Sequence, residues 1–352
     1  MKASVYLGVV AAAAVGLTAG PVAAAEQWSM ATSWGGGPLL EMAAKPSAKL
    51  IEELTRGEVK IQVYPGGTLG SPLKVTETVR AAVAESGHSW NGYDWGIEKT
   101  TVLFGGYAGG LNGEQNLHWL YQGGGKELYR EFRLEKFGVI AIPCGALPAE
   151  MGMHSRKKVQ SMEDFKGLKL RTAGAWAEIS KGLGVSAVIL PEAEVYPALE
   201  RGVVDAIEWA QLSVNWSAGY HKVAKYLVMP GFHQPSSMQE CTLNKAKWDA
   251  LSDANKRAVE IAGQVTTFNF YQQVGNDDAA AYKRYIDAGN EIVVVDNDVI
   301  AKAKELAFAW ADKIAAEEGP NSWFAKVLAN QRAYQKQWES SRAWRATAVD
   351  PK

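Results

Sequence analysis

Residues 163–211, EDFKGLKLRTAGAWAEISKGLGVSAVILPEAEVYPALERGVVDAIEWAQ, narrow the choice of fold more than any other stretch of the chain. After Gly167, the alternation Leu168, Lys169, Leu170, Arg171 has the period of a strand, and small residues then open a helix over 172–181. Gly182 and Gly184 stop that helix. The apolar, β-branched run 185–190 has the length and composition of a buried parallel strand, and it ends at Pro191. Pro191 and Glu192 suit a helix N-terminus, Val195, Leu199 and Val203 recur on one helical face, and Gly202 is placed to cap the end. A third strand is expected over 203–209. The order β-α-β-α-β belongs to the α/β class, in which ligands bind in the crevice at the carboxyl ends of the strands. Arg171, Glu208 and Trp209 all fall at those ends.

An arginine offers two parallel N–H donors in a rigid fork, the geometry that grips a carboxylate. A glutamate beside it repels the anion it would hold. Either Glu208 pairs with Arg171 in an internal salt bridge, or a cation lies between Glu208 and a bound anion.

The run GLKLRTAGAWAEISKGLGVSAVILPEAEVYPALERGVVDAIEW resembles the extracytoplasmic solute-binding proteins of TRAP transporters, and most closely the branch that binds 2-oxo and 2-hydroxy monocarboxylates. The resemblance extends more weakly from about Glu26 to beyond Asp296. It implies a two-lobe periplasmic binding protein fold with a hinge, each lobe a sheet flanked by helices, and one long helix across both. It also implies that Arg171 grips the substrate carboxylate, while the Glu208 carboxylate and the Trp209 main chain hold a metal ion that touches the substrate. Glu150, in Leu147-Pro148-Ala149-Glu150, and Gln234, in Phe232-His233-Gln234-Pro235, match two further positions that line this site. An amide is expected at position 150, so the acid departs from the pattern. Two carboxylates and a substrate carboxylate favour Ca²⁺ over Na⁺.

The remaining sequence is consistent with export. Residues 1–25 carry one Lys, an apolar stretch from about 5 to 17 and Ala23-x-Ala25, which reads as a signal peptide cleaved after Ala25; an uncleaved anchor is the alternative. The 327 residues that follow suit two lobes, expected at 26–146 plus about 236–275 and at 147–235 plus about 276–318. The net charge of −1, with no basic run, speaks against nucleic acid as a partner. Cys144 and Cys241 are the only cysteines; both lie on predicted strands near the lobe crossovers, and export permits one bridge.

In the first lobe, strands are expected over 26–34 and 59–64 around a helix at 39–56, then a helix near 73–85 and an aromatic loop over 87–95. Trp90, Tyr93 and Trp34 are candidates for an apolar cleft wall, with plain packing the competing reading. The same loop approaches a nucleophile elbow at Ser89, but Asn91 stands where the second Gly of GxSxG is required. Gly105–110 and Gly123–125 fit neither nucleotide-loop spacing, and the five histidines lack zinc-enzyme spacing. His154, near Lys157 and Lys158, reads as a solvated strand edge. Further along, residues 266–273 lack a one-sided apolar stripe, as expected of a helix buried across both lobes. The helix over 321–345 carries Trp323, Phe324, Tyr334 and Trp338, more aromatics than a solvated tail needs. They imply either a docking surface for a homodimer or packing on the same chain.

The expected function is therefore non-enzymatic. The chain closes on a small organic acid bridged to a metal ion, with Arg171, Glu150, Trp209, Gln234, Trp90 and Tyr93 around the acid and Glu208, Trp209, Glu150 and Gln234 around the ion. It then delivers the acid to TRAP membrane permease subunits. A binder of a neutral polyol or sugar and a secreted hydrolase using Ser89 or a metal-bound water are the other classes.

Overall fold

The computed structural model describes residues 25–345, so the expected signal peptide lies outside the described residues except for Ala25. Among them, eleven strands occur in chain order: β1 (Glu26–Thr32), β2 (Val59–Tyr64), β3 (Ser86–Trp90), β4 (Val139–Leu147), β5 (Met153–Ser155), β6 (Lys169–Arg171), β7 (Ser186–Val188), β8 (Ala206–Ile207), β9 (Tyr226–Met229), β10 (Ser237–Asn244) and β11 (Glu291–Val294). They form two sheets, ordered β2-β1-β3-β10-β4 and β11-β9-β5-β8-β6-β7. Both sheets are mixed. In the first, β1 runs parallel to β2 and β3, and β10 is antiparallel to β3 and β4. In the second, β6 is parallel to β7 and β8, while β5 is antiparallel to β8 and β9. The class is α/β, as the central unit predicts. The chain passes between the sheets after β4, after β9 and along the helix Asp253–Asp287.

That helix has 35 residues, about 50 Å at 1.5 Å per residue. It packs on β4 of the first sheet and on the helix Leu212–Ala218 beside the second. The sequence predicts a helix buried across both lobes, but Thr266, Thr267 and Phe270 are buried while Phe268 is exposed. Its buried side mixes the small and polar residues Ala258, Ala262, Gly263, Thr266 and Thr267 with Val259, Phe270, Val274 and Tyr285. Gly263 is needed there because a Cβ would stand 2.7 Å from the Pro143 carbonyl oxygen.

Several sequence expectations require correction. The run 185–190 is not a buried strand; β7 is the edge of its sheet, and Val188 and Ile189 are exposed. Edge strands bury only part of an apolar run. The strand at 203–209 shortens to β8, with Val203 exposed beyond the Gly202 cap. The loop at 87–95 contains β3, which Gly87, His88 and Ser89 disguise; Gly87 is required because its Cβ would meet Val75 of the overlying helix Val75–Arg80 at 2.4 Å. That helix is also shorter than the predicted 73–85. His154 is fully buried in β5, the centre of the second sheet, rather than at a solvated edge.

The aromatic helix Trp323–Ser340 packs on its own chain. Phe324 is fully buried, Trp323 meets the edge of Phe132, Trp338 meets His118, and the Trp119 indole donates to Asn330. Those aromatics therefore supply no reason for a second copy. Cys144 and Cys241 form a disulfide between β4 and β10. No described helix is long and apolar enough to cross a membrane.

Two buried histidines couple the fold to pH. Burial pushes His88 down to about 4; its Nδ1 accepts from the Trp34 indole at 2.8 Å and its Nε2 donates to the Cys144 carbonyl at 3.1 Å. His154 is pushed down to about 3, chiefly by burial, and packs between the Tyr220 and Tyr285 rings with no protein partner for either ring nitrogen. Below about 6.5 the unfolded chain binds protons that the folded chain refuses, so these groups withdraw stability as pH falls from that value. The melting temperature is expected to drop between pH 7 and pH 4, and His154→Phe to flatten the drop; an unchanged slope in that variant contradicts the assignment.

Candidate functional site

The two sheets face each other across a cleft whose polar centre comes from the chain crossings and from the strand ends of the second sheet. At the crossings, the Glu150 N–H donates to the Gln234 carbonyl at 3.1 Å, the Met151 N–H to the Ala210 carbonyl at 3.3 Å, and the Gln211 amide to the Pro148 carbonyl at 2.8 Å. Gly231 makes this contact possible, since a Cβ there would overlap the Glu150 carbonyl oxygen at 1.8 Å. Local chain geometry thus brings Glu150, His233 and Gln234 to the mouth of β6 and β8, where Arg171 and Glu208 stand.

Arg171 is buried, and most of its fork is already engaged. Nε and Nη2 donate to the Leu190 carbonyl at 3.2 and 3.0 Å, and Nη1 donates to the Glu208 main-chain oxygen at 2.8 Å. Its contact with the Glu208 carboxylate is longer, 3.5 Å. The guanidinium lies over the Trp209 ring, 4.6 Å from its centroid. So Arg171 and Glu208 do pair, mainly through the main chain, and Trp209 offers an aromatic face to the arginine. Tyr93 is nearby; burial pushes its hydroxyl up to about 12 against the pull of Arg171.

Glu208 and Glu150 approach one imidazole from two sides. One Glu208 oxygen accepts from the Ala173 N–H at 3.0 Å, and the other lies 3.2 Å from His233 Nε2. Glu150 Oε2 is 3.4 Å from the same nitrogen and has no hydrogen-bond donor. All three side chains are buried, and their ligating atoms lie within 4.8 Å of one another. Burial, with Glu208 adding to it, raises Glu150 to about 7 despite His233. Burial also opposes the charge on His233, yet the two carboxylates hold it up to about 9. On Glu208, burial is outweighed by His233 and Arg171, and its carboxyl is lowered. The two carboxylates here are faced by two cationic partners, His233 and Arg171.

The first sheet supplies the opposite wall. Trp34, Trp90 and Tyr93 line the cleft with Trp176 of the second half, and the Trp90 and Tyr93 rings meet edge to face at 5.2 Å. Trp90 Nε1 and Gln234 Nε2 both donate to the Gly105 carbonyl, at 3.0 and 3.1 Å. All the residues singled out from the sequence, Arg171, Glu150, Glu208, Trp209, Gln234, Trp90 and Tyr93, therefore border one cleft. His233, Trp176, Ser237 and Gln239 border it as well and were missed. His233 stands beside Gln234 in a quoted motif, and its chemistry was the available signal. Ser89 does not form a nucleophile–base pair: its hydroxyl shares a 2.7 Å hydrogen bond with Ser33.

One bond spans the cleft edge. The Gly35 N–H, in the loop after β1, donates to Glu192 at 2.7 Å, at the start of the helix Glu192–Glu200. Glu192→Ala is expected to speed ligand release about fivefold, corresponding to roughly 1 kcal/mol for a partly exposed charge-assisted bond. Stopped-flow displacement checks this; an unchanged off-rate removes the latch.

The chain matches bacterial extracellular solute-binding protein family 7, DctP, over residues 30–318. It is 29% identical over 314 residues to the monocarboxylate 2-oxoacid-binding periplasmic protein of Nostoc sp., covering 88% of this chain and 84% of that one. Among solved structures, a TRAP solute-binding protein of Pseudoalteromonas atlantica with bound sodium and pyruvate superimposes with a TM-score of 0.85 at 27% identity, over 91% of this chain and 97% of the other. One from Colwellia psychrerythraea, with bound calcium and pyruvate, gives 0.85 at 25% identity over 91% and 98%. One from Bordetella bronchiseptica, with copurified calcium and picolinate, gives 0.86 at 26% identity over 91% and 94%.

Proposed function

We propose, from the premise that this chain belongs to the DctP family of bacterial extracellular solute-binding proteins, that it captures a small 2-oxo or 2-hydroxy monocarboxylate with a metal ion and delivers it to a TRAP membrane permease. The family is one of solute receptors, not enzymes. The observation that carries the substrate class is the convergence of two buried carboxylates, Glu150 and Glu208, beside one buried arginine. Burying such charges is tolerated only when they are paired or bound to a cation.

The residues fit a cation. Glu150 Oε2 is buried without a hydrogen-bond donor, and Glu208 turns one oxygen toward it while the Ala173 N–H holds the other. Glu150, Glu208, the Trp209 main chain and Gln234 would hold the ion, which when bound supplies a positive charge to the carboxylate and 2-oxygen of the acid. The calcium- and sodium-bearing relatives support that reading. The acid at position 150 favours a divalent ion, since it adds a second carboxylate oxygen donor beside Glu208. Arg171 would turn its remaining donor to the substrate carboxylate, with Tyr93 beside it. Trp34, Trp90 and Trp176 would exclude water and set the chain length admitted. The lobes, hinged at 147–152 and 230–236, would close as a population shift, since Arg171 and the Trp90 wall meet the ligand together only when shut.

Calorimetric titration of the exported chain with pyruvate, lactate and a neutral pentose tests this. Micromolar binding of an acid and none of the pentose is expected; the reverse order overturns the reading.

A further inference from the structure

We infer that the cation site of this chain includes a nitrogen ligand, His233 Nε2, and takes a first-row divalent transition metal in preference to Ca²⁺ or Na⁺. The inference rests on the proposed reading that a cation sits beside Glu150 and Glu208, and it concerns which cation. Three observations carry it. First, His233 Nε2 stands between the two carboxylates rather than behind them, 3.2 Å from Glu208 and 3.4 Å from Glu150. Metal–ligand bonds of about 2.1 Å place neighbouring ligand atoms roughly 3.0 Å apart in an octahedron and roughly 3.4 Å apart in a tetrahedron. The two contacts of His233, which also suit hydrogen bonds, therefore match neighbouring ligands of one small ion, and all three ligand atoms lie within 4.8 Å of one another.

Second, the set is built in advance. All three side chains are buried, the Ala173 N–H fixes the Glu208 carboxylate, and the Glu150–Gln234 main-chain bond ties position 150 to the loop that carries His233. Third, the donor chemistry is mixed. Calcium and sodium take oxygen ligands, whereas a neutral imidazole suits cobalt, nickel, copper or zinc, and affinity for such a site rises from manganese through cobalt and nickel to copper and falls again at zinc. A histidine inserted between two carboxylates shifts selectivity toward those ions. The solute would then be held as the chelate of a 2-oxo acid on a transition metal, its carboxylate on Arg171.

The test uses the whole exported chain, stripped with a chelator and checked by thermal melting. Calorimetry with Co²⁺ and with Ca²⁺ is expected to give at least about 100-fold tighter binding of Co²⁺, and His233→Asn to weaken Co²⁺ at least tenfold while moving Ca²⁺ less than threefold. Independently of any variant, pulsed EPR of the Mn²⁺ form in the presence of pyruvate, which contains no nitrogen, is expected to show one directly bonded nitrogen. Equal affinity for the two ions, or no nitrogen coupling, overturns the inference while Ca²⁺-dependent pyruvate binding leaves the proposed function standing. Full pyruvate affinity after chelation, with His233 itself the cation between the carboxylates, overturns it together with the metal bridge of the proposed function. Failure of every ion and every acid to bind overturns both.

Discussion

Replacing Arg171 by alanine is expected to weaken binding of the organic acid by at least about 1000-fold and to lower the melting temperature as well. The affinity loss follows from removing the strongest donor available to a carboxylate in a buried site, where breaking a charged pair costs about 3–5 kcal/mol. The stability loss follows from its partners. Without the guanidinium, the Leu190 and Glu208 carbonyls lose their donors, and Glu208 is left beside Glu150 with less compensation. A surface-mounted arginine would have left the fold intact, as position at a strand end alone suggests; this one is 1% exposed and props the turn between β7 and the following helix. Arg171→Lys keeps the charge but replaces the rigid fork that spans the Leu190 and Glu208 carbonyls with a compact ammonium on a flexible stem, so an intermediate loss of both quantities is expected. Calorimetry and thermal melting on the three forms check this. Unchanged affinity in the alanine form contradicts the assignment.

Arg133→Met is expected to cost about 3–5 kcal/mol of stability, the range for breaking a buried ion pair by removing one partner. Arg133 is wholly buried on the helix Gly125–Phe137, with Nη1 on Asp94 at 2.7 Å and Nη2 on Glu240 and Thr76 at 2.6 and 2.7 Å. Tyr129 donates to the other Glu240 oxygen. Burial, with Asp94 adding to it, raises the Glu240 carboxyl, and Arg133 together with the Tyr129 and Thr242 hydroxyls opposes that rise. Deleting the arginine strands two carboxylates in the core. Adding Glu240→Gln to Arg133→Met should recover part of the loss in denaturant melts, because one of the orphaned charges is gone. No loss in the single variant contradicts this account. Asp94 lies one residue from Tyr93, so a weaker cleft wall is expected alongside the lost stability.

What the sequence made legible tracks which forces act locally. The ends of β6 and β8 were readable because glycines, prolines and alternating apolar residues punctuate 163–211, and that placed Arg171, Glu208 and Trp209 correctly. β2, expected over 59–64, was readable for the same reason. β3 was not: Gly87, His88 and Ser89 are poor strand formers, held in place by neighbours on both sides and by a helix that needs the bare glycine. His154 was misplaced because its neighbours Lys157 and Lys158 are charged, whereas its burial is decided by β8 and β9, which are distant in sequence. Whether the aromatic C-terminal helix docks a second copy or packs on its own chain stayed open in the sequence because the residues it meets, Trp119 and Phe132, lie about two hundred residues earlier. His233 was passed over since a single histidine has no period, and only the meeting of two crossings brings it between Glu150 and Glu208.

The most direct test of the central claim is tryptophan fluorescence of the exported chain titrated with pyruvate, before chelation, after it, and after a divalent ion is restored. Trp34, Trp90, Trp176 and Trp209 border the cleft, so ligand closure reaches several indoles at once. The account predicts saturable change at micromolar pyruvate that vanishes on chelation and returns with the ion. A response to pyruvate that survives complete chelation, or a response to a neutral sugar alone, would contradict it.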